Sequence, residues 1–260
     1  MLEIKNITVS YQGSEAVKDF SLMLDKGKIC SLVGESGSGK TTVIRAVLGL
    51  LAGGGKVTKG DILFEGESLL KFSNEKWRQL RGSKISMIFQ DSGAMMNPTK
   101  TVGAVFTEYI RTHEKISKRD AWEKAVGMLE KMRLPSGDNI MKSYPFRLSG
   151  GMRQRVGIAM GMTYKPELLL ADEPTSALDV TTQAQIVRQM MELREEYGTS
   201  IIMVTHNLGV AAYMSDHIIV MKDGVVEDTG DRDHMLNASE NDYTKKLLEA
   251  VPTLGGARYV

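Results

Sequence analysis

Eight consecutive residues, Gly34-Glu35-Ser36-Gly37-Ser38-Gly39-Lys40-Thr41, place glycines, a lysine and a hydroxyl at the spacing of a phosphate-binding loop. The glycines let successive backbone N–H groups curl around phosphate oxygens, and a helix starting there adds partial positive charge. Lys40 brings a point charge to the terminal phosphates, the Thr41 hydroxyl suits Mg²⁺, and Thr42 follows in the same turn. An apolar run, ICSLV, precedes the loop and a helix-like run, TTVIRAVLGLL, follows it. A chance glycine-rich turn would lack that strand–loop–helix setting.

A second run, LLLADEP, ends an apolar strand on two carboxylates, Asp172 and Glu173. Open α/β sheets bind ligands at this end of their strands. Adjacent strand residues point opposite ways, but at a strand end both can turn into a site. Asp172 suits the Mg²⁺ shell and Glu173 suits a general base acting on water. A third stretch, LSGGMRQR, presents Ser149, Gly150 and Gly151 ahead of a polar periodic run, which reads as a helix start able to hold an anion. On its own such a stretch is more commonly a plain N-cap.

These residues need elements to hold them. The segments LEIKNITVSY and GDILFEGESL alternate as strands do, and GKICSLVG ends a short apolar run at a glycine. The helix after the loop is expected to close at Gly53-Gly54-Gly55. From Ser92 to Leu148 the pattern turns helical, with Ala121, Trp122, Ala125, Val126, Leu129 and Met132 on one face. Strands return at PELLLADEP and TSIIMVTH, separated by a helix from an Asp179 N-cap to a Gly198 stop. HIIVMKDGVVEDTG reads as a hairpin turning at Asp223-Gly224. The alternation, interrupted by a helical insert, argues for an α/β core on a mostly parallel sheet.

Composition narrows the classes. The 260 residues are 42% hydrophobic, enough for a packed core. A net charge of +1 gives no nucleic-acid surface. The single cysteine, Cys30, excludes an internal disulfide framework or a multi-cysteine metal site and fits a reducing, cytoplasmic setting. The first residues carry no signal-peptide pattern, and no apolar run nears the ~20 residues a spanning helix needs. The 17 methionines read as adaptable core filler.

The order of phosphate loop, LSGGMRQR, LLLADEP, SALD and a histidine after IIMVT resembles the ABC-type ATPases. That resemblance implies a P-loop NTPase (RecA-like) core with an N-terminal antiparallel β subdomain and an inserted helical subdomain. It covers Met1 to Pro252 and implies one ATP-binding domain, 1–250, with its core at 1–90 and 151–235, helices at 91–150 and a tail at 251–260. It also explains two glycine stretches in one chain. In the family, two domains pair head to tail, and Ser149, Gly150 and Gly151 would cover ATP held by a partner.

The same resemblance gives Tyr11 the stacking place on adenine, Gln90 a reach to Mg²⁺ and the attacking water, Asp179 a place at the dimer seam, and His206 a contact with the γ-phosphate. Tyr11 also reads as a buried β tyrosine, and Asp179 as only an N-cap. His113, His217 and His234 carry no such implication. YPFRLSGGMRQRVGIAM, DEPTSALDVTTQAQI and DYTKKLLEAVP resemble the dipeptide, oligopeptide and nickel importer branch. After Gln90, DSGAMMNP keeps only Asp91 and Asn97-Pro98 of the usual branch pattern, in the segment where the family meets its membrane partner. The chain closes soon after VPTLGG without the cysteine cluster of many peptide importers, which favours a nickel or other metal importer, or a short peptide-importer subunit.

The expected protein is an ATPase using ATP and Mg²⁺. It would work at the cytoplasmic face of the membrane as a peripheral subunit. Its partners would be a second ATP-binding subunit and transmembrane permease subunits, with a solute-binding protein met indirectly and no nucleic acid. The alternatives are a non-transport ABC ATPase acting on DNA or ribosomes, which would carry a long coiled coil or two fused ATPases, and a small-molecule kinase, which has no use for LSGGMRQR.

Overall fold

The structure, a computed structural model, describes residues 1–176, 178–251, 253–254 and 257–258. Half of the tail expected at 251–260 lies outside the described residues, as does Ala177 of SALD. In chain order the first elements are β1 (Leu2–Tyr11), β2 (Ser14–Leu24), β3 (Ile29–Val33), α1 (Lys40–Val47), β4 (Lys56–Phe64), β5 (Glu67–Ser68), α2 (Asn74–Leu80) and β6 (Ile85–Ile88). A run of helices follows: α3 (Ser92–Met95), α4 (Val102–His113), α5 (Lys118–Lys131), α6 (Gly137–Lys142) and α7 (Gly150–Met162). The chain continues with β7 (Leu168–Asp172), α8 (Val180–Tyr197), β8 (Ser200–Thr205), α9 (Leu208–Met214), β9 (His217–Lys222), β10 (Val225–Gly230) and α10 (Asp242–Glu249).

These elements form two compact units, Met1–Trp77 with Ser200–Val260, and Arg78–Thr199. In the first, β2-β1-β4-β5 make an antiparallel sheet, and β10-β9-β3-β8 stand side by side. β3 is parallel to both β8 and β9. Its five residues are all buried, so it reads as a near-continuous apolar run, interrupted only by Ser31, rather than an alternating one. β9 returns into β10 through Asp223 and Gly224, both at positive φ (50° and 82°), as a two-residue hairpin turn requires.

The second unit pairs β6 parallel to β7 and carries helices α3 to α8. α5 buries Ala121, Ala125 and Leu129 as its period predicts, and adds Met128. Trp122 is only partly covered, and its Nε1 donates to the Asp138 carboxylate at 2.6 Å. α8 begins at Asp179 and stops at Gly198, where φ is 66°. One expectation is corrected. α1 ends at Val47, well before Gly53. Gly49 takes a φ of 64°, its N–H donates to the Ala46 carbonyl, and the Leu50 N–H donates to the Arg45 carbonyl. This pair of bonds is the Schellman closure, which stops a helix at the first glycine able to adopt it.

Candidate nucleotide-binding and hydrolysis site

In the first unit the loop between β3 and α1 has little conformational choice. Gly34 has φ 153°, and a Cβ there would lie 2.1 Å from the Met221 carbonyl oxygen. Gly39 has φ 98°, and a Cβ would meet the Ala16 carbonyl at 2.8 Å. Only glycine permits both approaches. Gly39 is also the N-cap of α1 and brings no side-chain acceptor to its first turn. Lys40 is 4% exposed and its ammonium donates to the carbonyls of Gly34 (2.8 Å) and Glu35 (2.6 Å) and to Ser38 Oγ (3.0 Å). The lysine thus draws the loop into a ring around its own charge, and Ser36, Gly37, Thr41 and Thr42 complete that turn.

His206 belongs to the same edge. Val33 and Thr205 are register partners across β3 and β8, so Gly34 and His206 leave the sheet side by side. His206 is exposed, and Asn207 behind it caps α9 by accepting from the N–H groups of Gly209 (2.9 Å) and Val210 (3.2 Å). Tyr11 closes β1 half-buried, its ring against Gly55, where a Cβ would fall 2.4 Å from Tyr11 Cε1.

In the second unit β7 delivers Asp172, 7% exposed, and then Glu173. Glu173 has φ 44°, in the left-handed region that a glutamate rarely occupies. Glu173 therefore leaves the extended strand conformation immediately after Asp172, the last residue of β7. Gln90, just past β6, donates from Nε2 to Glu173 Oε2 at 3.3 Å and to Ser176 Oγ at 3.4 Å. The structure therefore brings Gln90 and Glu173 together.

Ser149 caps α7 by accepting from the Met152 N–H at 3.3 Å, and both Ser149 and Gly150 are exposed. A Cβ on Gly151 would lie 2.7 Å from Thr182 Cγ2, so the glycine lets α7 approach the start of α8. There Asp179 caps α8 through the Thr182 N–H at 3.0 Å, and hydrogen bonds from Thr182 hold its carboxyl below the ordinary range. The N-cap reading of Asp179 holds in this structure.

Two residues escaped the sequence reading. Gln154, 5% exposed on α7, accepts from the Ser92 N–H and donates to the Phe89 carbonyl, both at 3.3 Å, and so fixes the backbone on either side of Gln90. Tyr243 on α10 accepts from the Glu35 N–H at 3.0 Å. Neither has a local signal, because each acts through a contact distant in sequence.

The ABC transporter family profile matches residues 17–176. An oligopeptide transport ATP-binding protein, OppD, from Bacillus subtilis is 43% identical over 98% of this chain and 72% of its own length. A dipeptide transport ATP-binding protein, DppD, from Lactococcus lactis is 39% identical over 98% of this chain and 74% of its own. The dimeric ATP-binding cassette MJ0796, solved in a post-hydrolysis state with ADP and Pi, superposes with a TM-score of 0.78 at 29% identity, covering 89% of this chain and 99% of that one.

Proposed function

This chain belongs to the ABC transporter ATPases, in the family of oligopeptide and dipeptide transport ATP-binding proteins, and we propose that it hydrolyses ATP to drive import of di- or oligopeptides through separate membrane subunits. The observation that carries the ATPase chemistry is the Glu173 carboxylate, turned off its strand at φ 44° and met by Gln90. Support for a peptide cargo, rather than nickel, comes from the identity to OppD and DppD.

The glycine loop and Lys40 hold the phosphates, and Tyr11 stacks on the adenine. Glu173 takes the proton from the attacking water while Gln90 orients it, and His206 contacts the γ-phosphate. The expected metal donors are the Thr41 hydroxyl, the Asp172 carboxylate and the Gln90 amide. They are all oxygen donors. Such a set suits Mg²⁺, which takes one or two carboxylates plus substrate phosphates. When bound, Mg²⁺ supplies charge neutralisation on the transferring phosphate.

Ser149, Gly150 and Gly151 face a second ATP-binding subunit, a pairing supported by the dimeric MJ0796 cassette. Residues 91–150 form the helical subdomain of this single domain and meet the permease, with Met95 and Phe146 (63% and 66% exposed) as apolar contacts. Among the described residues no helix is long and apolar enough to cross a membrane. In this reading the permease holds the subunit at the cytoplasmic face of the membrane.

The Glu173→Gln variant tests this reading. Hydrolysis is expected to fall by ~10²–10⁴-fold while ATP stays bound and the dimer accumulates on a sizing column. Purified from native membranes, that trapped complex should carry permease subunits and a binding protein loaded with peptide. Wild-type turnover by Glu173→Gln would remove Glu173 as the base, and recovery of ribosomes or DNA-processing proteins would end the transport reading.

A further inference from the structure

We propose that the C-terminal helix α10 braces the phosphate loop, with Tyr243 as its positioning residue. The peptide of Glu35 is held from both sides. Its N–H donates to the Tyr243 hydroxyl at 3.0 Å, across 208 positions of sequence, and its carbonyl accepts from Lys40 Nζ at 2.6 Å and from the Ser38 N–H at 3.3 Å. Lys40 grips the loop from within and Tyr243 from outside.

The helix is itself firmly held. Asn241 caps α10 by accepting from the N–H groups of Tyr243 (2.8 Å) and Thr244 (3.1 Å), and donates to the Glu227 carbonyl at 3.0 Å. Asp228 on β10 accepts from the hydroxyls of Thr244 (2.8 Å) and Ser239 (2.5 Å) and pairs with His234 at 3.0 Å. Beneath them Tyr243, Leu248 and Val251 pack with Val33, the last residue of β3 before the loop, and with Ala211 and Val220. Tyr243 as a whole is 9% exposed and packed in this cluster, which carries its hydroxyl to the Glu35 N–H. The Glu35 N–H is thereby satisfied by protein, and the loop needs no phosphate to hold that peptide in place.

The proposal rests on the reading of residues 34–41 as the nucleotide loop, and the test separates the two. In the full-length chain, Tyr243→Phe keeps the ring and removes the hydroxyl. Hydrogen exchange at the Glu35 amide should accelerate, and KM for MgATP should rise about fivefold, the value of one lost hydrogen bond, with kcat within about twofold. Thr244→Val, which frees the helix from Asp228 and leaves Tyr243 intact, should raise KM in the same direction by a smaller factor. Unchanged Glu35 exchange and unchanged KM in both variants would overturn the brace. A general loss of kcat, affinity and melting temperature together would reduce α10 to bulk support and overturn it too. Lys40→Ala is measured alongside. If it keeps its MgATP affinity, the nucleotide-loop reading fails; if it loses affinity while Tyr243→Phe does not, only the brace fails.

Discussion

The two glycine stretches that could hold phosphate lead into α1 and α7, and these two helices begin differently. α1 starts after Gly39, which offers no side-chain acceptor, and its first residue, Lys40, is buried and bent back onto the loop. α7 starts after Ser149, whose own hydroxyl already takes the Met152 N–H, at an exposed turn. A helix start leaves N–H groups unpaired within the helix, and those groups attract anions. α1 directs that attraction inward, with a lysine to match. α7 satisfies part of it and presents the rest outward. Glycine spacing alone does not separate a loop that serves its own chain from one that serves a partner. The neighbouring side chains do.

Lys40→Ala should open the widest gap between the two. It removes the only buried cation of the loop together with three hydrogen bonds from a charged donor. MgATP affinity, followed by titration calorimetry, should drop by about a hundredfold or more. An affinity within a few-fold of wild type would mean that the backbone N–H groups suffice, and the contrast with α7 would collapse.

Gln154→Leu addresses the second region at its support. The variant keeps the volume and deletes both bonds to the Phe89 carbonyl and Ser92 N–H. Leaving two backbone groups short of partners should lower stability by about 2 kcal/mol, read from urea unfolding. Because Gln90 lies between those two anchors, kcat should fall several-fold while MgATP affinity stays level. Equal losses in kcat and affinity would mean that α7 also supports the nucleotide loop, which would blur the comparison.

What the sequence revealed and what it hid divide along this same line. The loop at 34–41, the carboxylates at 172–173 and the caps at Asp179 and Gly198 were legible because each depends on neighbours within a few residues. The Asp223-Gly224 hairpin was legible for the same reason, whereas the antiparallel first sheet, which pairs Leu2 with Phe64, was implied only by the family resemblance. α1 was drawn too long because three glycines at 53–55 outweighed Gly49, and only the pair of bonds back to Ala46 and Arg45 identifies the true stop. The left-handed turn at Glu173 was not legible, since a positive φ at a glutamate has no compositional signal. Tyr243 and Gln154 were missed entirely. Each reaches a backbone group far along the chain, and no periodicity encodes such a contact.

The smallest effect expected is that of Ser149→Ala, and it is also the most discriminating. As an N-cap, the serine contributes about 1 kcal/mol, so the variant should melt only a few degrees lower. MgATP affinity of the isolated chain should not change, because the proposed grip on its own nucleotide belongs to the loop before α1. The loss should appear only where two chains meet. In a Glu173→Gln background, ATP-driven dimer formation by Ser149→Ala should need several-fold more protein on a sizing column. A weakened monomer affinity would place Ser149 on its own chain's nucleotide, and an undiminished dimer would leave it as a cap alone. Either result would remove the reason proposed for the second glycine stretch, at α7.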